Sequence, residues 1–399
     1  MKIVAVDPFY LKMPNITTDA DGTQDTLVVR VRTDEGIEGW GECDASPLVS
    51  LATYCCPMSH GNIINIRQSL VGEVLRGSDD ILRLHDKILR NALDIQQIDH
   101  AYSGTDIALW DIVGQKFKRP VYQLLEDQFG FSSQGIDHPK IPYASVLFGD
   151  TPEATFQIAM RLKSQGFKAA KFGWGPMGQF DEKYDIELVE SAREGMGKSA
   201  QIMIDAGVAW ESDYKTAYDR AEAFSQYTPT WLEEPLAPEA IKAYGTLSSL
   251  NPPIPIAAGE GSATFRMAED LILNGKVDYV QIDVGRVSGI TTAARIRQLA
   301  EQQGIQYVNH TFKSHLSLAA SLHVFATNED FNLLEYPADG SELSQKLTTE
   351  KLEVGTDGQV RLTKKPGIGV NIDLHTIREF LVSVKIELNG TTIFDHAVL

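Results

Sequence analysis

From about Ile141 onward the chain repeats one rhythm: a short apolar run, a polar stretch with apolar positions every three or four residues, then the next apolar run. Eight such runs are present: IPYASVL (141–147), KAAKF (168–172), IMID (202–205), TWLE (230–233), IPIAAGE (254–260), YVQID (279–283), IQYVNH (305–310) and FNLLE (331–335). Short apolar runs of this kind are what strands buried on both faces look like, and such strands belong to parallel sheets covered by helices. The stretches between them, such as TPEATFQIAMRLKSQ and ITTAARIRQLAEQQ, read as amphipathic helices that stop at Gly166 and Gly304. Strand and helix repeated eight times predict an α/β fold, a modified (β/α)8 TIM-type barrel, over residues 136–340.

The first 135 residues have a different character. IVAVDPFYLKM and DTLVVRVRTDEGIEGWGE read as strands, with Thr33-Asp34-Glu35-Gly36 as hairpin turn. Helical periodicity follows from Ile64 to Leu89 and through HAYSGTDIALWDIVGQKF, which Pro120 ends. This predicts an α+β capping domain over 1–135, with two long polar loops, 15–24 and 44–62, as lids. Over 341–399 the rhythm stops; Leu352 to Asn371 reads as strand, turn and loop, with a hairpin at GTDGQV. That segment is expected to complete the barrel and cap by packing on the N-terminal unit.

Composition narrows the function classes. A chain of 399 residues, 43% of them hydrophobic, can bury the core of one large or two ordinary domains. Lys and Arg number 36 against 54 Asp and Glu, a net charge of −18, so the surface field repels nucleic acid and anionic membranes, and no polyanion partner is expected. No apolar run approaches the roughly 20 residues of a membrane span, and MKIVAVDPFYLKM lacks the apolar core of a signal peptide, so a cytoplasmic location is expected. Cys43, Cys55 and Cys56 read as small apolar fillers or loop thiols, because an odd count with no CxxC spacing suggests neither disulfides nor zinc.

The candidate chemistry stands where the runs end. Lys171, Asp205, Glu233, Glu260, Asp283, His310 and Glu335 each lie at or next to the carboxyl end of a predicted strand, about one βα unit apart. A barrel turns that spacing into neighbourhood around one mouth. Five carboxylates there would repel one another unless a cation neutralised some of them. A single acid at a strand end commonly caps the next helix, but Asp205, Glu233 and Glu260 stand on three consecutive strands and offer only oxygen, which points to a hard divalent ion such as Mg²⁺. Asp283 and His310 on adjacent strands would form a positioned base, the carboxylate holding one imidazole nitrogen and leaving the other free. Glu335 is placed either to share a proton with substrate or to close the mouth as a structural acid. Lys171 could bind a substrate anion or steady developing charge. Asn309 and Lys313 flank His310 as candidates for substrate contact, and Trp174 in KFGWGPMG is a candidate wall. The other histidines, His60, His85, His100, His138, His315, His323, His375 and His396, read as core or loop residues.

These residues resemble the enolase superfamily, and within it the mandelate racemase subgroup, over nearly the whole chain. GTDIALWDIVGQKFKRPVYQLL (104–125), GWGE (39–42), IDAG, WLEEP, GEG, the ID run ending at Asp283 and NH match that family's motifs in order. The resemblance implies an α+β capping domain built from both chain ends over a modified barrel. It also implies Mg²⁺ on Asp205, Glu233 (not Glu234) and Glu260, a dyad of Asp283 and His310, and Glu335 as the acid on the last strand. Loops 15–24 and 44–62 would set specificity, and the assembly would be a homo-oligomer. One departure matters. Family members with two opposed bases carry a KxK pair on the second strand, whereas here the positions read Lys171-Phe172-Gly173. Loss of the second base favours one-sided chemistry, and the resemblance then implies dehydration of an acid-sugar substrate, an aldonate or aldarate, to a 2-keto-3-deoxy acid. A racemase, epimerase or cycloisomerase on the same fold, with Lys171 or a lid residue as second base, and a non-catalytic barrel stay open as alternatives.

Overall fold

The computed structural model describes residues 1–17, 24–60, 63–132, 139–328 and 331–396. It opens with an antiparallel sheet of β1 (Ile3–Lys12), β2 (Asp25–Thr33) and β3 (Glu38–Cys43), with β2 in the middle. The β2–β3 turn is closed by Thr33, whose N–H donates to Ile37 O at 3.1 Å, and by Gly36 at φ +78°. The helix Ile98–Phe117 lies against this sheet and is buried nearly all round. Its approach explains the glycines of GWGE: a Cβ on Gly41 would stand 2.0 Å from Gly104 O, and one on Gly39 would stand 2.1 Å from Ala108 O.

The barrel consists of β4 (Ile141–Leu147), β5 (Ala169–Gly173), β6 (Gln201–Asp205), β7 (Leu232–Glu233), β8 (Ile256–Ala258), β9 (Tyr279–Asp283), β10 (Gln306–His310) and β11 (Leu333–Pro337). All eight predicted runs are strands, and they follow one another around the ring in chain order, β4 to β10, with β11 beside β4. Tyr143, Met203, Trp231, Val308 and Leu333 fill the interior, so the barrel is a packed core. The ring is nearly closed. Among the described residues no backbone ladder joins β10 to β11; the side-chain amide of Asn309 spans the gap instead, accepting from Glu335 N–H at 3.0 Å and donating to Glu335 O at 3.4 Å.

After β11 the chain returns to the N-terminal sheet. Leu343, Leu347, Ile377 and Phe380 pack with Phe9, Leu11 and Val28 as a separate apolar cluster on its outer face. A hairpin of β12 (Lys385–Leu388) and β13 (Thr391–Asp395) follows. No helix among the described residues is long and apolar enough to cross a membrane.

Three local expectations are corrected. The periodic stretch from Ile64 to Leu89 is two helices, Ile66–Leu70 and Ser78–Asn91, because Gly72 takes φ +96° between them and Gly77 starts the second. Loop 44–62 is folded in its first half: Pro47–Ala52 is a helix, and Leu51 and Tyr54 are buried in the cap core. GTDGQV is a tight turn, Gly355 N–H to Gln359 O at 2.8 Å, and among the described residues it has no flanking strands, Val360 alone pairing onward, with Lys140. Of loop 15–24, residues 18–23 lie outside the described residues, as do residues 61–62 of loop 44–62 and His138.

Candidate active site

The strand register brings the seven predicted side chains to one mouth. Asp205 pairs with Glu233 across β6 and β7, and Asp283 with His310 across β9 and β10. Oxygens of Asp205, Glu233 and Glu260 lie within 4.8 Å of one another. Glu233 is turned into the barrel, where Trp231 Nε1 donates to Oε2 at 2.8 Å; Glu234, at φ +36°, turns away and meets Gly259 N–H at 3.4 Å. Burial pushes Asp205 well above the usual carboxylate range, and Glu233 adds to it against Lys171. Glu233 is likewise raised by burial, only partly offset by Lys171. Three oxygen donors that repel one another in a dry site can hold a metal ion, and the set fits a hard cation.

Lys171 is buried and serves two acids at once, hydrogen-bonding Glu233 and lying 2.8 Å from Glu335 Oε1, with Asp205 Oδ2 at 4.0 Å. Burial alone would lower its ammonium, but Glu233 and Glu335 raise it well above the ordinary lysine value, so it is a fixed cation. His310 Nδ1 lies 2.7 Å from Asp283 Oδ2, the arrangement that orients an imidazole and leaves Nε2 for other work. Nε2 faces Glu260 Oε2 at 3.0 Å and Glu335 Oε2 at 3.7 Å. Burial disfavours the imidazolium, yet Glu260 and Glu335 outweigh it and hold His310 well above its usual value. A cation that took up the charge of Glu260 would remove that pull. Glu335 is fixed from the side as well, accepting from Thr311 N–H at 2.9 Å.

Beside these groups lies a cavity of about 150 Å³, bounded by Lys171, Asp205, Glu260 and His310 together with Asp44, Ser145, Leu147, Trp174, Arg286 and Phe312. Trp174 is therefore a wall. Phe312 stacks on the His310 ring, centroids 5.5 Å apart. Asn309 and Lys313 are not in the lining: Asn309 is spent on the β10–β11 gap, and Lys313 Nζ donates to Asp25 O at 2.9 Å and lies 3.3 Å from Asp44 Oδ1. Sequence reading missed Asp44 and Arg286. Asp44 follows the last residue of β3 and Arg286 comes three residues after Asp283, so each had a signal, a charged group beside a strand end. Their partnership, Arg286 Nε to Asp44 Oδ2 at 2.8 Å, spans 242 positions and had none.

Comparison with known families decides what this arrangement belongs to. Residues 3–126 match the mandelate racemase / muconate lactonizing enzyme N-terminal domain, and residues 154–376 match the enolase C-terminal domain-like family. The chain belongs to the enolase superfamily, in its mandelate racemase branch. The crystal structure of a protein named a predicted mandelate racemase from Rhodobacter sphaeroides is 40% identical, with a TM-score of 0.94 and full coverage of both chains. More distant members of the superfamily divide in chemistry. An N-succinyl-L-Arg/Lys racemase of Bacillus cereus is 25% identical over 96% of this chain and 98% of its own. A D-galactarolactone cycloisomerase of Agrobacterium fabrum is 27% identical over 89% and 90%. A D-xylonate dehydratase of Haloferax volcanii is 26% identical over 95% and 90%. Membership in the superfamily thus leaves the reaction itself to be argued from this chain's own site.

Proposed function

We propose that this protein is a Mg²⁺-dependent dehydratase of a sugar acid, an aldonate or aldarate, which loses water to give a 2-keto-3-deoxy acid. The observation that carries the reading is the one-sidedness of the site. His310 with Asp283 is a base on one side, whereas on the opposite side β5 offers Lys171, already engaged by Glu233 and Glu335, and then Gly173. Returning a proton to the opposite face needs a second base; removing a proton and releasing a neighbouring hydroxyl needs one group that first takes a proton and then gives it.

Asp205, Glu233 and Glu260 would hold Mg²⁺, which supplies positive charge to offset the second negative charge that enolisation places on a carboxylate. Lys171 adds fixed positive charge from the other side. His310 Nε2 removes the C2 proton while Asp283 holds Nδ1–H and stabilises the imidazolium. The proton now on Nε2 goes to the 3-hydroxyl, the C3–O bond breaks and water leaves. The resulting enol becomes the 2-keto group as C3 takes a proton. Glu335, 3.7 Å from Nε2 and 2.8 Å from Lys171, would orient a substrate oxygen between them. The D-xylonate dehydratase relative supports this reading; the racemase and cycloisomerase relatives favour the second one, proton transfer without loss of water.

The test is to incubate protein and Mg²⁺ with aldonates and aldarates and to assay 2-keto-3-deoxy product. C2 deuteration in heavy water without dehydration would replace the proposal by an epimerase or racemase. His310→Asn is expected to lower turnover by about 10³-fold or more while Mg²⁺ and substrate still bind by calorimetry; full activity would remove His310 from the mechanism.

A further inference from the structure

Two cations converge on one carboxylate at the rim of the cavity. Arg286, on the loop after β9, reaches Asp44 Oδ2 with Nε at 2.8 Å, and Lys313, after β10, lies 3.3 Å from Oδ1. Asp44 comes from the cap, yet its own N–H donates to Gly285 O at 2.9 Å, so backbone and side chain are both tied to the barrel. The carboxylate borders the cavity and has an oxygen within 4.8 Å of a His310 nitrogen. Lys171, the other cation of the lining, stands on β5, four places from β9 in a ring of eight, and so belongs to the opposite side.

In the reaction proposed above, C1 and C2 of the substrate lie at the acids and Lys171, and His310 works at C2 and C3. The rest of the substrate chain therefore points to the rim where Asp44 stands. A carboxylate has about four acceptor positions, and two cations leave others open to substrate hydroxyls. A second substrate carboxylate would meet like charge at short range in a partly dry site, and Arg286, the cation of this rim that borders the cavity, is already paired with Asp44.

We propose that Asp44 determines specificity as a built-in counter-ion, standing where the distal carboxylate of a diacid would sit, so that the enzyme takes aldonates and rejects aldarates. The inference rests on the sugar-acid reading and narrows it to one of its two substrate classes. Arg286 is the positioning residue, holding Asp44 and, through Nη1 at 3.2 Å from Glu260 O, the loop that carries Glu260.

The experiment compares kcat/KM on matched aldonates and aldarates of four to six carbons for the wild type, Asp44→Asn and Asp44→Ala. The wild type is expected to favour mono-acids by at least about 10-fold. Both substitutions are expected to shift the ratio toward diacids by about 100-fold, because Arg286, which borders the cavity, loses its carboxylate partner and can pair with the substrate's own carboxylate. Thermal melts check folding, and Asp44→Asn keeps the shape if Asp44→Ala unfolds. Calorimetry in the His310→Asn background with Mg²⁺ should give the same order in binding. Equal handling of both classes by the wild type, or a ratio unmoved in folded variants, overturns the inference while the dehydratase reading stands. Absence of 2-keto-3-deoxy product from every acid overturns that reading instead, and a calorimetric preference for mono-acids that Asp44→Asn abolishes would still show the role of Asp44.

Discussion

A carbon atom added at Gly173 would stand 2.7 Å from Oδ2 of Asp205 and 3.0 Å from its Cγ. The position where a second base would be expected is therefore closed by the neighbouring acid, and restoring the lysine disturbs a residue proposed to bind the metal. Gly173→Lys is expected to weaken Mg²⁺ binding about 10-fold or more by calorimetry and to produce no exchange of configuration at C2. Racemisation by a variant with intact metal affinity would show that the one-sidedness of the site is not structural. The same crowding of Asp205, Glu233 and Glu260 makes bound cation a source of stability, since binding to the folded chain alone raises Tm with concentration. Saturating Mg²⁺ should raise Tm and a chelator should abolish the gain, as read by thermal melting.

The end of β3 joins cap to barrel through one buried acid. Glu42 Oε1 accepts from Thr26 Oγ1 at 2.8 Å, and Oε2 accepts from Ser314 N–H at 3.2 Å and Ser317 Oγ at 2.9 Å, so its charge sits at the start of the helix His315–Phe325. Glu42→Ala leaves these donors unpaired and is expected to cost about 2–4 kcal/mol in denaturant unfolding. Activity should fall with it, because Asp44 is two residues on. A change within 0.5 kcal/mol would show that the cap is held elsewhere. Elements of this kind differ in how far they could be read beforehand. The barrel strands were legible because each is an apolar run bounded by polar residues, and the acids at their ends because position along a strand sets which mouth a side chain faces. The split of 64–89 was not, since Gly72 and Gly77 interrupt a periodicity that continues on both sides of them. Nor was the folding of Pro47–Ala52, whose Leu51 is buried by tertiary contacts, nor Asn309, whose amide replaces backbone pairing only once β11 lies beside it.

Three distant parts of the chain meet at His323. Its Nδ1 accepts from Tyr122 N–H at 3.1 Å, its Nε2 lies 3.1 Å from Ile368 O, and its ring stacks on Tyr122 at 6.1 Å. Both nitrogens are used by the neutral form, and burial pushes the imidazole down from 6.5 to about 4. As pH falls the unfolded chain takes up this proton first, so the contribution is fully present above about 6.5 and drains away toward about 4, amounting to about 3 kcal/mol across that window. His323→Gln should flatten the stability profile between those values in urea titrations at stepped pH. An unchanged acid limb would assign the acid sensitivity to other groups.

The gap in the ring has its own bearing on the intact molecule. Where the other neighbouring strands share a ladder, β10 and β11 are held by the Asn309 amide and the Thr311 N–H, and the residues on either side of that joint are His310 and Glu335. The one junction without a backbone ladder among the described residues thus runs between two of the groups that the proposed reaction uses. Warming or mild urea that parts this joint would separate them while the cap and the remaining strands still hold. The protein should fall silent as a catalyst before it loses its shape, and regain its activity on cooling.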